Sequence, residues 1–148
     1  MSYPNNDSIQ YMKSFGKSLI NPYRMLQSFF AVVFLKGCTK FSCDLQEWFY
    51  QQKVKDEYRE LLLPMYFRNN GAFYYSNELN EAISMLFMVG LIRKGGTPSN
   101  FGIVFLEYSN EIAKQILGEI HDKKVLKLIN ILADQFFKDV IITNEDKK

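Results

Sequence analysis

His121 is the only histidine in this 148-residue chain, and Cys38 and Cys43 are the only cysteines. These are the residues whose types could supply a nucleophile, a base or a soft metal ligand. A serine or cysteine nucleophile needs a base held beside it. No nucleophile elbow or metal-type spacing brackets His121, which stands next to Asp122 and Lys123 in a polar turn. An exposed surface histidine is expected. Two thiols and one imidazole fall short of a structural zinc site. Their spacing is not that of a secreted disulfide framework either, so reduced thiols in a cytoplasmic protein are expected. The carboxylates are scattered among Lys and Arg rather than gathered as a hard-metal site would need. Gly16-Lys17-Ser18 ends like a phosphate-binding loop, but Tyr11 stands where that loop needs its first glycine. Gly95-Gly96 precedes a strand, not a helix. No catalytic residue, metal or cofactor is expected.

Charge points the same way. The net charge of +2 lacks the basic excess usual in nucleic-acid domains. The excess it does have is local: Lys13, Lys17, Arg24, Lys36 and Lys40 face only Asp7 across residues 1–43. The first residues are Asn- and Ser-rich and lack the apolar stretch of a signal peptide. The longest apolar run, Phe29–Leu35, is too short to span a membrane.

The elements that would position any site follow from periodicity and caps. Residues 1–20 form an N-terminal arm, with Ile9–Ile20 either a short helix or extended. Asn21-Pro22 starts a helix over Pro22–Lys36, and Gly37 stops it. Thr39–Phe41 is a short strand. Ser42 caps the next helix, whose inner face is Leu45, Trp48, Phe49 and Gln52. A charged stretch follows, and Leu61–Leu63 is closed by Pro64. Around Asn69-Asn70-Gly71 the aromatic flanks Met65–Phe67 and Phe73–Tyr75 pair as a hairpin or pack as a loop. Ser76–Val89 is a helix ended by Gly90. Leu91–Lys94 and Phe101–Glu107 are the strands of a hairpin with a polar loop. Helices follow over Tyr108–Ile120 and along the stripe Val125, Leu128, Ile129, Leu132 and Phe136. Residues 141–148 are a charged tail.

That order predicts a mostly α fold with a small β-hairpin (α+β). It reads as a single winged-helix-like domain over 21–140 with extra N- and C-terminal helices. In such a domain the third helix enters the DNA major groove. Here Ser76–Val89 carries no Lys or Arg and two Glu, whereas base reading wants Arg, Lys, Asn or Gln. Its outward face is expected to be Asn77, Glu81, Ser84 and Met88. The candidate contacts to a DNA backbone are Lys13, Lys17, Arg24, Arg93 and Lys94, too few near the hairpin to drive strong binding by counterion release. The same helix holds more apolar residues than an inner stripe needs, in Met85, Phe87 and Met88. Val104, Leu106 and Tyr108 on the last strand need cover from the final helix or from a partner. These six residues are the expected partner interface.

The run Ser76-Asn-Glu-Leu-Asn-Glu-Ala-Ile-Ser-Met-Leu-Phe-Met-Val-Gly-Leu-Ile-Arg-Lys, then Phe101-Gly-Ile-Val-Phe, then the helix through Leu132-Ala-Asp-Gln-Phe-Phe, resembles the middle component of bacterial ABC three-component systems, which include Lamassu-type antiphage and antiplasmid defence. The resemblance spans roughly residues 21–138. It implies a non-catalytic adaptor whose partners are an SMC- or Rad50-like coiled-coil ATPase and an effector nuclease, with DNA met only weakly or through them. The charged stretch 51–60 and the aromatic turn 65–75 depart from the pattern. The alternatives are a stand-alone DNA-binding transcription regulator and a phage- or plasmid-borne inhibitor of a host protein.

Overall fold

The computed structural model describes residues 20–69, 71–95 and 102–141. Helix α1, Pro22–Leu35, begins as its sequence predicts. The Asn21 side chain accepts the Arg24 N–H at 2.8 Å, and Pro22 sits in the first turn, where no intrahelical donor is missed. Gly37, at φ +110°, supplies the left-handed residue that ends it. Met25, Leu26 and every residue from Ser28 to Val33 are buried. A helix apolar on all sides belongs at the centre of a fold, and α1 packs against three other helices.

Those helices are α3 (Asn77–Met88), α4 (Asn110–Gly118) and α5 (Lys123–Phe136). The rings around α1 make the heart of the core. Phe29 lies 5.2–5.8 Å from Phe30, Trp48, Phe49 and Phe136. Phe136 meets Phe41 and Trp48 edge-on, at 5.1 and 5.0 Å, the T-shaped arrangement that the ring quadrupole favours. Each such fully buried ring contributes about 1.5–3 kcal/mol of transfer free energy.

Helix α2 (Leu45–Lys53) buries Leu45, Trp48, Phe49 and Gln52, the expected face. Its cap is Asp44, which accepts the Glu47 N–H at 3.2 Å, and not Ser42. The reason is that Ser42 belongs to strand β1 (Lys40–Ser42), where it pairs with Ile103 and is held extended. A 3₁₀ turn, Asp56–Tyr58, follows α2 and inserts Tyr58 into the core. The aromatic turn resolves as a short ladder of β2 (Arg68–Asn69) and β3 (Tyr74–Tyr75).

Strands β4 (Ile92–Lys94) and β5 (Ile103–Leu106) join β1 in an antiparallel sheet of order β1-β5-β4. Register sets the inner face. Phe41 pairs with Val104 and Ile92 with Leu106, and all four are buried. Helix α5 continues as a π-helical turn, Phe137–Ile141, whose Asp139 accepts the Trp48 indole N–H at 3.0 Å. The fold is therefore mostly α with a small antiparallel sheet, around one contiguous core. No helix among the described residues is long and apolar enough to cross a membrane.

Candidate protein-interaction surface

Helix α3 is held at its N-terminus by polar contacts rather than by burial alone. Ser76 Oγ accepts the Leu79 N–H at 3.1 Å and donates to Glu78 Oε1 at 3.2 Å. That carboxylate also accepts the Tyr66 N–H at 3.1 Å. Below, Leu79, Ala82 and Leu86 enter the core. With that stripe anchored, the helical period of 3.6 decides where each remaining side chain goes.

Asn77, Glu81, Ser84 and Met88 come out on the solvent side, as expected. Met88 is 84% exposed and Met85 45%. Phe87 is half-buried, and Met85 and Phe87 fall on opposite flanks. Phe87 faces a groove of about 350 Å³ beside Ile83, Ile92 and Val104, with Lys94 at its edge. Met85 faces a groove of about 380 Å³ with Pro22, Tyr23, Glu78, Glu81 and Ala82. Val89, 58% exposed, extends the outer patch. The sequence reading passed over it, although the stop at Gly90 signals that the chain leaves the core face there.

Val104, Leu106 and Tyr108, expected at a partner interface, are not on the surface. They are 8%, 5% and 6% exposed. Antiparallel pairing puts Val104 and Leu106 on the face that α1 and its neighbours cover. The Tyr108 hydroxyl donates to the Gln27 carbonyl at 2.8 Å, and its ring stacks on Phe34. The outer face of β5 is Ile103 and Phe105, both only half-buried.

The described candidate DNA contacts are each engaged with the protein's own surface. Lys13 and Lys17 lie outside the described residues. Arg24 pairs with Glu119 at 3.3 Å. The Arg93 Nε bonds Glu107 at 2.9 Å, and its guanidinium covers the Phe105 ring at 4.4 Å. The Lys94 ammonium lies 5.6 Å from the Phe87 centroid. Such cation–ring contacts are worth about 0.5–1 kcal/mol at exposed sites, and both cations are committed to their own surface.

A second apolar surface surrounds the β2–β3 turn. Tyr66, Phe73 and Tyr74 are 55%, 50% and 40% exposed. The Tyr74 ring stacks on Tyr50 with centroids 4.1 Å apart and planes within 6°. The Lys53 ammonium lies 5.7 Å from the Tyr66 ring centroid and donates to the carbonyls of Leu63 and Met65 at 3.3 and 2.5 Å. Burial lowers the Lys53 pKa, and Glu78 partly offsets this.

Cys43 lines the groove beside Phe87, whereas Cys38 is buried. Both cysteines are free, and burial pushes Cys38 up to about 11 and Cys43 to about 12, with Asp44 and Asp139 adding to the latter. A thiol so raised is a poor nucleophile near neutral pH. His121 is exposed, as expected. No group of three or more Cys, His, Asp or Glu among the described residues is arranged to hold a metal ion. No protein-family model, curated protein or solved structure matches the chain.

Proposed function

We propose that this chain is a non-catalytic, winged-helix-like docking subunit that presents the outer face of α3 to another polypeptide. The winged-helix reading rests on the element order α1-β1-α2-β2-β3-α3-β4-β5, with the β2–β3 ladder inserted between α2 and α3, together with the strand order β1-β5-β4. The single observation that carries the docking reading is the composition of the outer α3 face. Met85, Met88 and Val89 are exposed there beside Glu81, with no Lys or Arg on the helix. Methionine is enriched at protein interfaces because its flexible, polarizable side chain adapts to its partner. A phosphate backbone, by contrast, would be repelled by Glu78 and Glu81.

The partner class follows from the resemblance of residues 21–138 to the adaptor of ABC three-component defence systems. The chain would join an SMC- or Rad50-like ATPase to an effector nuclease in the cytoplasm, and ATP hydrolysis and DNA cleavage would be theirs. Co-expression with an SMC- or Rad50-like coiled-coil ATPase tests the reading. Co-elution that is lost on Met88→Lys supports it. Separate elution of the two wild-type proteins would sink it. Tight, salt-sensitive binding of the chain alone to one duplex sequence would instead favour the regulator reading.

A further inference from the structure

Tyr50 on α2 and Tyr74 on β3 form a pair whose geometry suits covalent chemistry. Their rings are parallel to within 6°, with centroids 4.1 Å apart. The two hydroxyls also meet, and the hydrogen bond between them raises the Tyr50 pKa. Bonded hydroxyls require the rings to point the same way, because a head-to-tail stack would put the oxygens at opposite ends. In parallel rings that point the same way, equivalent atoms are separated by nearly the same vector as the centroids. The carbons ortho to each hydroxyl therefore face their counterparts at close to 4.1 Å. Tyr74 is 40% exposed and Tyr50 half-buried, so the pair is open to solvent.

The pair also bridges two elements that are already tied nearby. Tyr50 lies one helical turn beyond Gln46 on α2, and Tyr74 lies just before Ser76 at the entry to α3. The Gln46 side chain bonds the backbone of Ser76. The Tyr50–Tyr74 stack is thus a second tie between α2 and the start of α3. Phe67 backs it, with its ring edge-on to Tyr50 at 5.6 Å.

We propose that Tyr50 and Tyr74 are an oxidative cross-linking site, joined through their ortho carbons by a one-electron oxidant such as a peroxidase acting with hydrogen peroxide. Each phenol gives one electron to the oxidant and its hydroxyl proton to water. The unpaired electron of the resulting phenoxyl radical spreads onto the ortho carbons, in an orbital perpendicular to the ring. Face-to-face rings aim those orbitals at one another, and a carbon–carbon bond forms between one ortho carbon of each ring. The hydrogen on each of these carbons then leaves as a proton, a proton returns to each oxygen, and both rings regain aromaticity. The net change is the loss of two electrons and two protons, which reduce hydrogen peroxide to water. The product fastens α2 covalently to the strand that leads into α3. The site depends on the stack alone and not on the docking function proposed above.

The test exposes the full chain at micromolar concentration to a peroxidase and hydrogen peroxide, and reads dityrosine fluorescence, intact mass and peptide maps. A monomer lighter by two hydrogens should form, with its cross-link mapped to Tyr50 and Tyr74. It should exceed any cross-linked dimer by at least about tenfold, because partners held in place react at a high effective concentration. Tyr50→Phe and Tyr74→Phe each keep a ring in the stack but remove one phenol. Each should abolish this product while unfolding in urea as cooperatively as the wild type, and Tyr66→Phe should retain it. The cross-linked wild type should have a higher urea midpoint than the untreated protein, because the closed loop restricts the unfolded chain. A monomer cross-link mapped to other tyrosines, survival of the product in either partner variant, or dimers as the main product would overturn the site. An unchanged urea midpoint would overturn the covalent fastening of α2 to the entry of α3.

Discussion

Gln46 holds both backbone polar groups of Ser76. Its side-chain oxygen accepts the Ser76 N–H at 2.8 Å, and its side-chain N–H donates to the Ser76 carbonyl at 3.0 Å. Ser76 is fully buried, so neither group has water as an alternative. This clasp fixes the start of α3 against α2 and so sets which residues of α3 face outward. Gln46→Ala should lower stability by about 1–2 kcal/mol, because it leaves the buried Ser76 N–H unpaired, while the Ser76 carbonyl keeps the Asn80 N–H at 3.1 Å. Gln46→Glu keeps the acceptor and loses the donor, and should cost less. Urea unfolding of the two variants checks the order; equal, negligible losses would mean that the clasp does not hold α3.

The outer and inner apolar residues should respond oppositely to substitution. Met88→Lys should change stability by no more than about 0.5 kcal/mol, as expected for an exposed site. Leu106→Ala should cost about 2–5 kcal/mol, because it opens a cavity under the sheet. Thermal unfolding distinguishes the two; a large loss for Met88→Lys would remove that residue from the proposed interface.

Ser28 lies in the middle of α1, and its buried hydroxyl has no hydrogen-bond partner among the described residues. Burying an unpaired hydroxyl is unfavourable, and alanine fits the helix better. Ser28→Ala should therefore raise stability by about 1 kcal/mol. A destabilised variant would show that the hydroxyl is satisfied in solution.

Alkaline pH should weaken the fold. In the folded state Cys38 and Cys43 keep their protons up to about 11 and about 12, against 9.0 in the open chain. The folded pKa is raised, so the stabilisation is fully present below pH 9.0 and is lost as pH rises through the folded values. Tyr58, raised by burial from 10.0 to about 12, adds to the loss. Lys53 opposes it, because its lowered pKa means that the cost of burying its charge is relieved as pH rises. The slope should approach about 1.4 kcal/mol per pH unit for each thiol. Denaturant midpoints between pH 9 and 11 check this, and Cys38→Ala/Cys43→Ala should flatten the fall.

The sequence alone determined the local elements, because their signals are local. Asn21-Pro22, Ser76 and the stops at Gly37 and Gly90 mark helix ends within a turn of the residues they serve. Helical period alone was enough to assign Leu79, Ala82 and Leu86 inward and Met88 outward. The tertiary structure decided what depends on residues far apart in the chain. Val104 and Leu106 could face either way until antiparallel pairing of β5 with β1 and β4 chose their side. Asp44 displaced Ser42 as a cap because Ser42 was already paired with Ile103. Arg93 was a free cation in the sequence and became half of an ion pair only when Glu107 arrived across the hairpin. A turn or a cap is settled by neighbours a few bonds away, whereas burial is settled by whichever surface folds against it.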